Sequence, residues 1–161
     1  MSTWIITPDK YLHPDEVKKL RASIHATALL AKSKGRQMGF RGMVIIELGL
    51  STGLRVGEMS KLKVEDLQLK RGQNSLIVRS GKGGKTRVVQ FGVNLKNIIL
   101  EYLEYRNTDS EYLFSSERQK FMSVSALQKV FKKAAMAADL PARYSIHALR
   151  HTFCTMIYKA S

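Results

Sequence analysis

Three short stretches of this chain combine cationic side chains with control of the backbone. In Thr52-Gly53-Leu54-Arg55, followed by Glu58, Gly53 can turn the chain tightly and set Arg55 at a helix start. The macrodipole favours an anion at that place. The plain alternative is a surface ion pair between Arg55 and Glu58, one turn apart. In Gly81-Lys82-Gly83-Gly84-Lys85-Thr86-Arg87, two lysines stand at a glycine-rich hairpin tip, free to reach into a groove. The alternative is an edge strand that its lysines protect from mispairing. A phosphate-cradling P-loop is excluded, because its glycine spacing is absent and no strand-to-helix context surrounds the glycines.

The third stretch is His147-Ala148-Leu149-Arg150-His151. On a helix His147 shares a face with Arg150 at i, i+3 and with His151 at i, i+4. Histidines at that spacing can bind zinc, but Ala148 stands where the zinc motif needs its glutamate. Arg150 between them also opposes a cation, so no metal is expected. The plain reading is a pair of buried or capping histidines.

Together the stretches offer two arginines, a lysine and a histidine, a set able to surround a phosphodiester. Arginine's planar fork grips phosphate oxygens, while lysine or histidine can move a proton. The 13 acidic residues are scattered singly or as adjacent pairs. That pattern disfavours a two-metal nuclease or a carboxylate-triad enzyme, so no cofactor is expected.

Charge points to the same partner. The 161 residues carry 27 Lys and Arg against 13 Asp and Glu, a formal net charge of +14. Such an excess repels itself in a folded chain and calls for a polyanion, nucleic acid ahead of an anionic membrane surface. It is densest from Lys61 to Gln90, where Lys61, Lys63, Lys70, Arg71, Arg79, Lys82, Lys85 and Arg87 face only Glu65 and Asp66. Lys61, Lys63, Arg79, Lys85 and Arg87 are therefore candidate DNA contacts. Cys154 is the single cysteine, Met1-Ser2-Thr3-Trp4 does not open a signal peptide, and the apolar window Gly42–Leu50 is too short to span a bilayer. A cytoplasmic, nucleoid-associated protein that avoids membranes is expected.

The elements that must position these groups are mostly helical. Pro14, with Asp15 and Glu16, opens a helix to about Lys34 that sets Val17, Leu20, Ile24, Ala28 and Ala31 on one face. Gly35–Gly39 should break it. Phe40–Leu50 is apolar nearly all round, as in a helix buried on most sides. A short helix follows Gly53 and ends near Leu62. Leu67–Leu69, Ser75–Arg79 and Thr86–Phe91 read as three short strands, the last two forming a hairpin. Asn94 should cap a helix to about Tyr105; another spans Ser123–Ala138 and stops before Pro141. A last one starts near His147. The fold class is mainly α with a small three-stranded antiparallel sheet, in one domain of α+β type.

The motifs Thr52-Gly53-Leu54-Arg55-Val56-Gly57-Glu58-Met59, Gly81-Lys82-Gly83-Gly84-Lys85-Thr86-Arg87-Val88-Val89 and His147-Ala148-Leu149-Arg150-His151-Thr152-Phe153 resemble, in order and spacing, the catalytic domain of tyrosine recombinases. These include phage and transposon integrases and Xer-type recombinases, and the resemblance runs from about Tyr11 onward. It implies that a tyrosine attacks a DNA phosphodiester, forms a 3′-phosphotyrosyl link and frees a 5′-hydroxyl. Arg55 and Arg150 would stabilise the pentacoordinate phosphate, Lys82 would protonate the leaving 5′-oxygen, and His147 would assist proton transfer. Lys85 is the rival for the lysine role. Glu58 would support the site, and His151 would pack or buttress.

The sequence departs from the family pattern at its carboxyl end. The family's second histidine or tryptophan and its nucleophilic tyrosine lie a few tens of residues beyond the His-x-x-Arg pair, whereas this chain ends eleven residues after Arg150. Tyr158 follows Arg150 on the same helix, a rise of about 12 Å, which is poor geometry for attack on a phosphate held by Arg150. It is expected to be a packing residue, like Tyr102, Tyr105 and Tyr112. Residues 1–161 thus read as a catalytic domain incomplete at its carboxyl end, without the nucleophile and without the amino-terminal core-binding domain. Such a fragment should be monomeric in solution and bind DNA without cleaving it, while the full-length protein assembles with other protomers on DNA. The alternative is a non-catalytic DNA-binding or regulatory relic of a truncated integrase gene.

Overall fold

Pro14 opens the first helix of the computed structural model, which describes residues 7–79 and 84–160. Helix α1 (Pro14–Ser33) begins with the His13 N–H donating to the Glu16 carboxylate at 3.1 Å, which satisfies one free helix-start donor. Its buried residues are Val17, Leu20, Ile24, Ala28 and Ala31, the stripe read from the sequence. Helix α2 (Gln37–Thr52) buries Phe40 and every residue from Met43 to Leu50. It can do so because it packs against four other helices, α1 and three that come later in the chain.

Two sequence expectations are corrected here. Gly39 belongs to α2 rather than to the break before it. A Cβ at Gly39 would lie 2.7 Å from the Ala31 Cβ, so this glycine lets two helices approach closely. The later helix α4 (Val93–Tyr105) is capped by Gly92, with Asn94 already inside its first turn.

Helix α3 (Val56–Ser60) is short and leads through a 3₁₀ turn (Val64–Asp66) into the sheet. Strands β1 (Leu67–Gln68), β2 (Ser75–Arg79) and β3 (Thr86–Gln90) pair antiparallel in the order β1-β2-β3. The register sets Leu76 opposite Val89 and Val78 opposite Arg87. Opposed residues share a face, so Arg87 lies on the side of buried Leu76 and Val78. The loop after α4 returns to α3, where Leu113 N–H donates to the Leu62 carbonyl at 2.9 Å and Val64 N–H to that of Glu111 at 2.8 Å.

Helix α5 (Val124–Ala137) starts at Ser123, whose hydroxyl accepts from the Ala126 N–H. It ends in a left-handed residue, Asp139 at φ 59°, two residues ahead of Pro141. Helix α6 (His147–Ala160) is tied to the start of the chain, since Leu12 N–H donates to the Thr152 hydroxyl at 2.9 Å. Tyr158 is 82 % exposed, which corrects its expected role as a packing residue: it lies in an exposed run with Met156 and Ile157 rather than in a buried stripe of α6. Also among these residues, no helix is long and apolar enough to cross a membrane.

Candidate phosphate-binding cleft

The end of α2 sets the site. Gly53 takes φ 66°, and its N–H closes the helix on the Gly49 carbonyl at 3.1 Å. That left-handed conformation disfavours any residue with a side chain. A Cβ would also fall 2.2 Å from Phe153 Cδ1, inside the ring that α6 packs there. Arg150, on the same helix as Phe153, donates from Nη1 to the Gly53 carbonyl at 2.5 Å. Two contacts from α6 thus converge on the glycine that precedes Arg55 by two residues.

Arg55 is the N-cap of α3, with its side chain 62 % exposed. His147 is exposed on the first turn of α6, whereas Arg150 and His151 are half-buried. These four residues line one open cleft of about 1590 Å³ together with Glu58, Lys61, Lys63, Arg79 and Arg87. The three sequence stretches therefore meet in space as far as they are described. Lys82 lies outside the described residues. Lys85 is exposed on the hairpin and does not line the cleft. Tyr158 does not line it either.

Three of the candidate DNA contacts already face carboxylates, and Lys63 does so at the longest range, 3.8 Å from Glu111. Arg87 grips Glu58 with both Nη atoms, at 2.7 and 2.9 Å. Arg79 donates from Nε to buried Asp66 at 2.8 Å. Burial by itself would raise the Glu58 carboxyl, but the Arg87 hydrogen bonds, the Arg55 N–H and both guanidinium charges outweigh it and hold the group below the usual carboxylate range. Partial burial pushes the His151 imidazole down, and the cationic neighbours His147, Lys10 and Arg150 add to it, so His151 favours its neutral form. Among the described residues no group of three His, Cys, Asp or Glu side chains is placed to hold a metal ion.

The sequence reading missed the far wall of the cleft, where the Tyr112 and Phe121 rings meet at a 49° tilt with centroids 5.0 Å apart and Lys63 Nζ sits 5.6 Å over the Tyr112 ring. No spacing pattern links these residues; only the return of the loop after α4 brings them to α3. It also missed the carboxylate partner of Arg87, although the alternation Arg87-x-Val89 placed both side chains on the inward face of a strand.

Residues 10–161 match the family model described as the phage integrase family. The chain belongs to that family. A curated relative, tyrosine recombinase XerA of Pyrococcus furiosus, is 36 % identical over 152 residues, which is 92 % of this chain and 48 % of the relative. The integrase-family chain described here thus spans about half the length of the curated relatives it matches. The crystal structure of a XerA recombinase superposes with a TM-score of 0.75 at 29 % identity, over 94 % of this chain and 52 % of that one. The XerH site-specific recombinase in its post-cleavage complex with palindromic difH reaches 0.78 at 24 % identity, over 96 % and 43 %, and shows the same fold. The mainly helical fold with its small sheet is therefore that of tyrosine recombinase catalytic domains.

Proposed function

We propose that residues 1–161 are the catalytic domain of a site-specific tyrosine recombinase and form its seat for one DNA phosphate. The observation that carries this reading is the Arg150–Gly53 hydrogen bond, which ties the two arginine-bearing motifs together at the rim of a single cationic cleft. Arg55 and Arg150 neutralise the charge that builds on the phosphate oxygens as a tyrosine attacks in line. His147 assists proton transfer from that nucleophile, and Lys82 protonates the leaving 5′-oxygen. The bond to the 5′-oxygen breaks as the 3′-phosphotyrosyl bond forms, so the energy of the phosphodiester is kept for rejoining.

Duplex DNA is the partner, drawn in by the excess of positive charge. The nucleophilic tyrosine and the domain that clamps the other side of the duplex are supplied by the full-length protein, which also brings protomers together on DNA. This chain alone is a monomer. Duplex binding by the 161-residue chain, followed by anisotropy across a salt series, tests the reading. Arg55→Gln and Arg150→Gln should each lower the salt slope by about one charge. Slopes that both variants leave unchanged would overturn it.

A further inference from the structure

The Glu58 carboxylate lies between two arginines and holds them unequally. Arg87 reaches it with a two-pronged fork, Nη1 at 2.7 Å from Oε2 and Nη2 at 2.9 Å from Oε1. Arg55 gives Oε1 only its backbone N–H, at 2.8 Å. The Arg55 guanidinium stays 3.7 Å from Oε2, outside hydrogen-bond distance. Arg55 and Glu58 are i, i+3 neighbours on one turn and still attract across that distance, but the pair has not closed into a hydrogen-bonded one. The carboxylate is only 13 % exposed, so it has little water to fall back on. The difference is Arg87, which arrives from β3 on the inward face of the sheet and takes both oxygens.

We propose that Arg87 is a positioning residue that occupies Glu58 and so leaves the Arg55 guanidinium available to a phosphate. This rests on the reading of Arg55 as a phosphate ligand. Without Arg87, Glu58 stays pinned to the Arg55 N–H and turns to the nearest cation, which is the Arg55 side chain. Arg55 is then matched inside the protein and lost to DNA. A direct phosphate contact by Arg87 is the competing role, and the two differ in how Arg55 responds.

The test follows Arg55 itself. The 161-residue chain is treated with phenylglyoxal, an arginine-selective dicarbonyl, and Arg55 modification is timed by peptide mass spectrometry. Arg87→Gln should slow it about fivefold, on the scale of one partly exposed ion pair. Adding Glu58→Gln to Arg87→Gln should bring the rate back to within about twofold of the parent, because the amide keeps an acceptor for the N–H and loses the charge. Arg87→Lys, which keeps the cation without the fork, should fall between and covers a folding failure of the first variant. In duplex binding, Arg87→Gln should lower the salt slope by about one charge, and the double variant should restore it. An Arg55 rate unchanged by Arg87→Gln, or slow in the double variant as well, would overturn the proposal. If Arg55→Gln leaves DNA binding untouched while the reactivity pattern holds, the phosphate reading of Arg55 fails and the pairing itself stands.

Discussion

Phe153 packs its ring where a side chain on Gly53 would have to be, 2.2 Å from an ideal Cβ. This contact and the Arg150–Gly53 hydrogen bond join the end of α2 to α6, the element that carries His147 and Arg150. They fix the height of α6 against the start of α3 and, through it, the span between Arg55 and Arg150. The glycine is needed twice over, by its φ of 66° and by the ring.

Gly53→Ala should destabilise the chain by about 2–4 kcal/mol, combining left-handed strain with overpacking. Phe153→Ala in the same chain should relieve the overpacking part and leave the strain. Gly57→Ala is the contrast, since nothing lies within 4 Å of its Cβ position and its φ is negative. It should be stabilising by about 0.4–1 kcal/mol. Urea titration of the three variants checks the order, and a Gly53→Ala chain as stable as its parent would remove the argument.

Stability should fall as the pH drops from neutral, in part through His151. The unfolded chain takes up this proton near the ordinary value of 6.5, whereas the folded site takes it up only at lower pH. Between those points the unfolded state binds more protons, so stability rises with pH across that window. The drop in Tm from about pH 7 to about pH 5 should be smaller for His151→Gln than for the parent, read by thermal melts at fixed ionic strength. Equal drops would show that His151 is solvated like an exposed histidine.

Glu58 acts in the same direction, in a more acidic window. Its carboxyl is held below the ordinary value of 4.5, so its stabilising contribution is present above that value and disappears as pH falls through the lower folded one. The ion pair with Arg87 should therefore persist through weak acid. In Arg87→Gln the Glu58 carboxyl should titrate closer to 4.5, measured by carbon-detected NMR of the labelled side chain; an unmoved titration would show that Arg87 contributes little to it.

No covalent adduct should form between the 161-residue chain and a suicide duplex carrying a nick near the scissile position. Tyr158 is 82 % exposed and outside the cleft, and Tyr112, which lines it, packs at a tilt against Phe121 under Lys63. A DNA-linked band on a denaturing gel would contradict this, and Tyr158→Phe and Tyr112→Phe would then identify the nucleophile.

Local order was legible in the chain itself. The five-residue stripe of α1 and the all-round apolar run of α2 are statements about 3.6-residue periodicity, and each helix buries what its pattern offers. The hairpin followed from two β-rich runs around glycines, and the motif residues Arg55, His147 and Arg150 were named from residue type and spacing. Gly39 was misread because a glycine that breaks a helix and one that admits a neighbouring helix look alike until Ala31 is seen 2.7 Å away.

By itself, then, the sequence determined the elements, the cationic excess and the three cationic motifs, since all of these depend on neighbours along the chain. Tertiary structure alone decided which cations remain free. Arg79 and Arg87 count equally with Lys61 in a sum of charges, yet they end in close carboxylate pairs with Asp66 and Glu58. The Arg87 partner lies 29 residues away, brought close by the fold of β3 against α3. An ion pair forms where two charges meet in space with little water between them, and that meeting is a property of the folded chain.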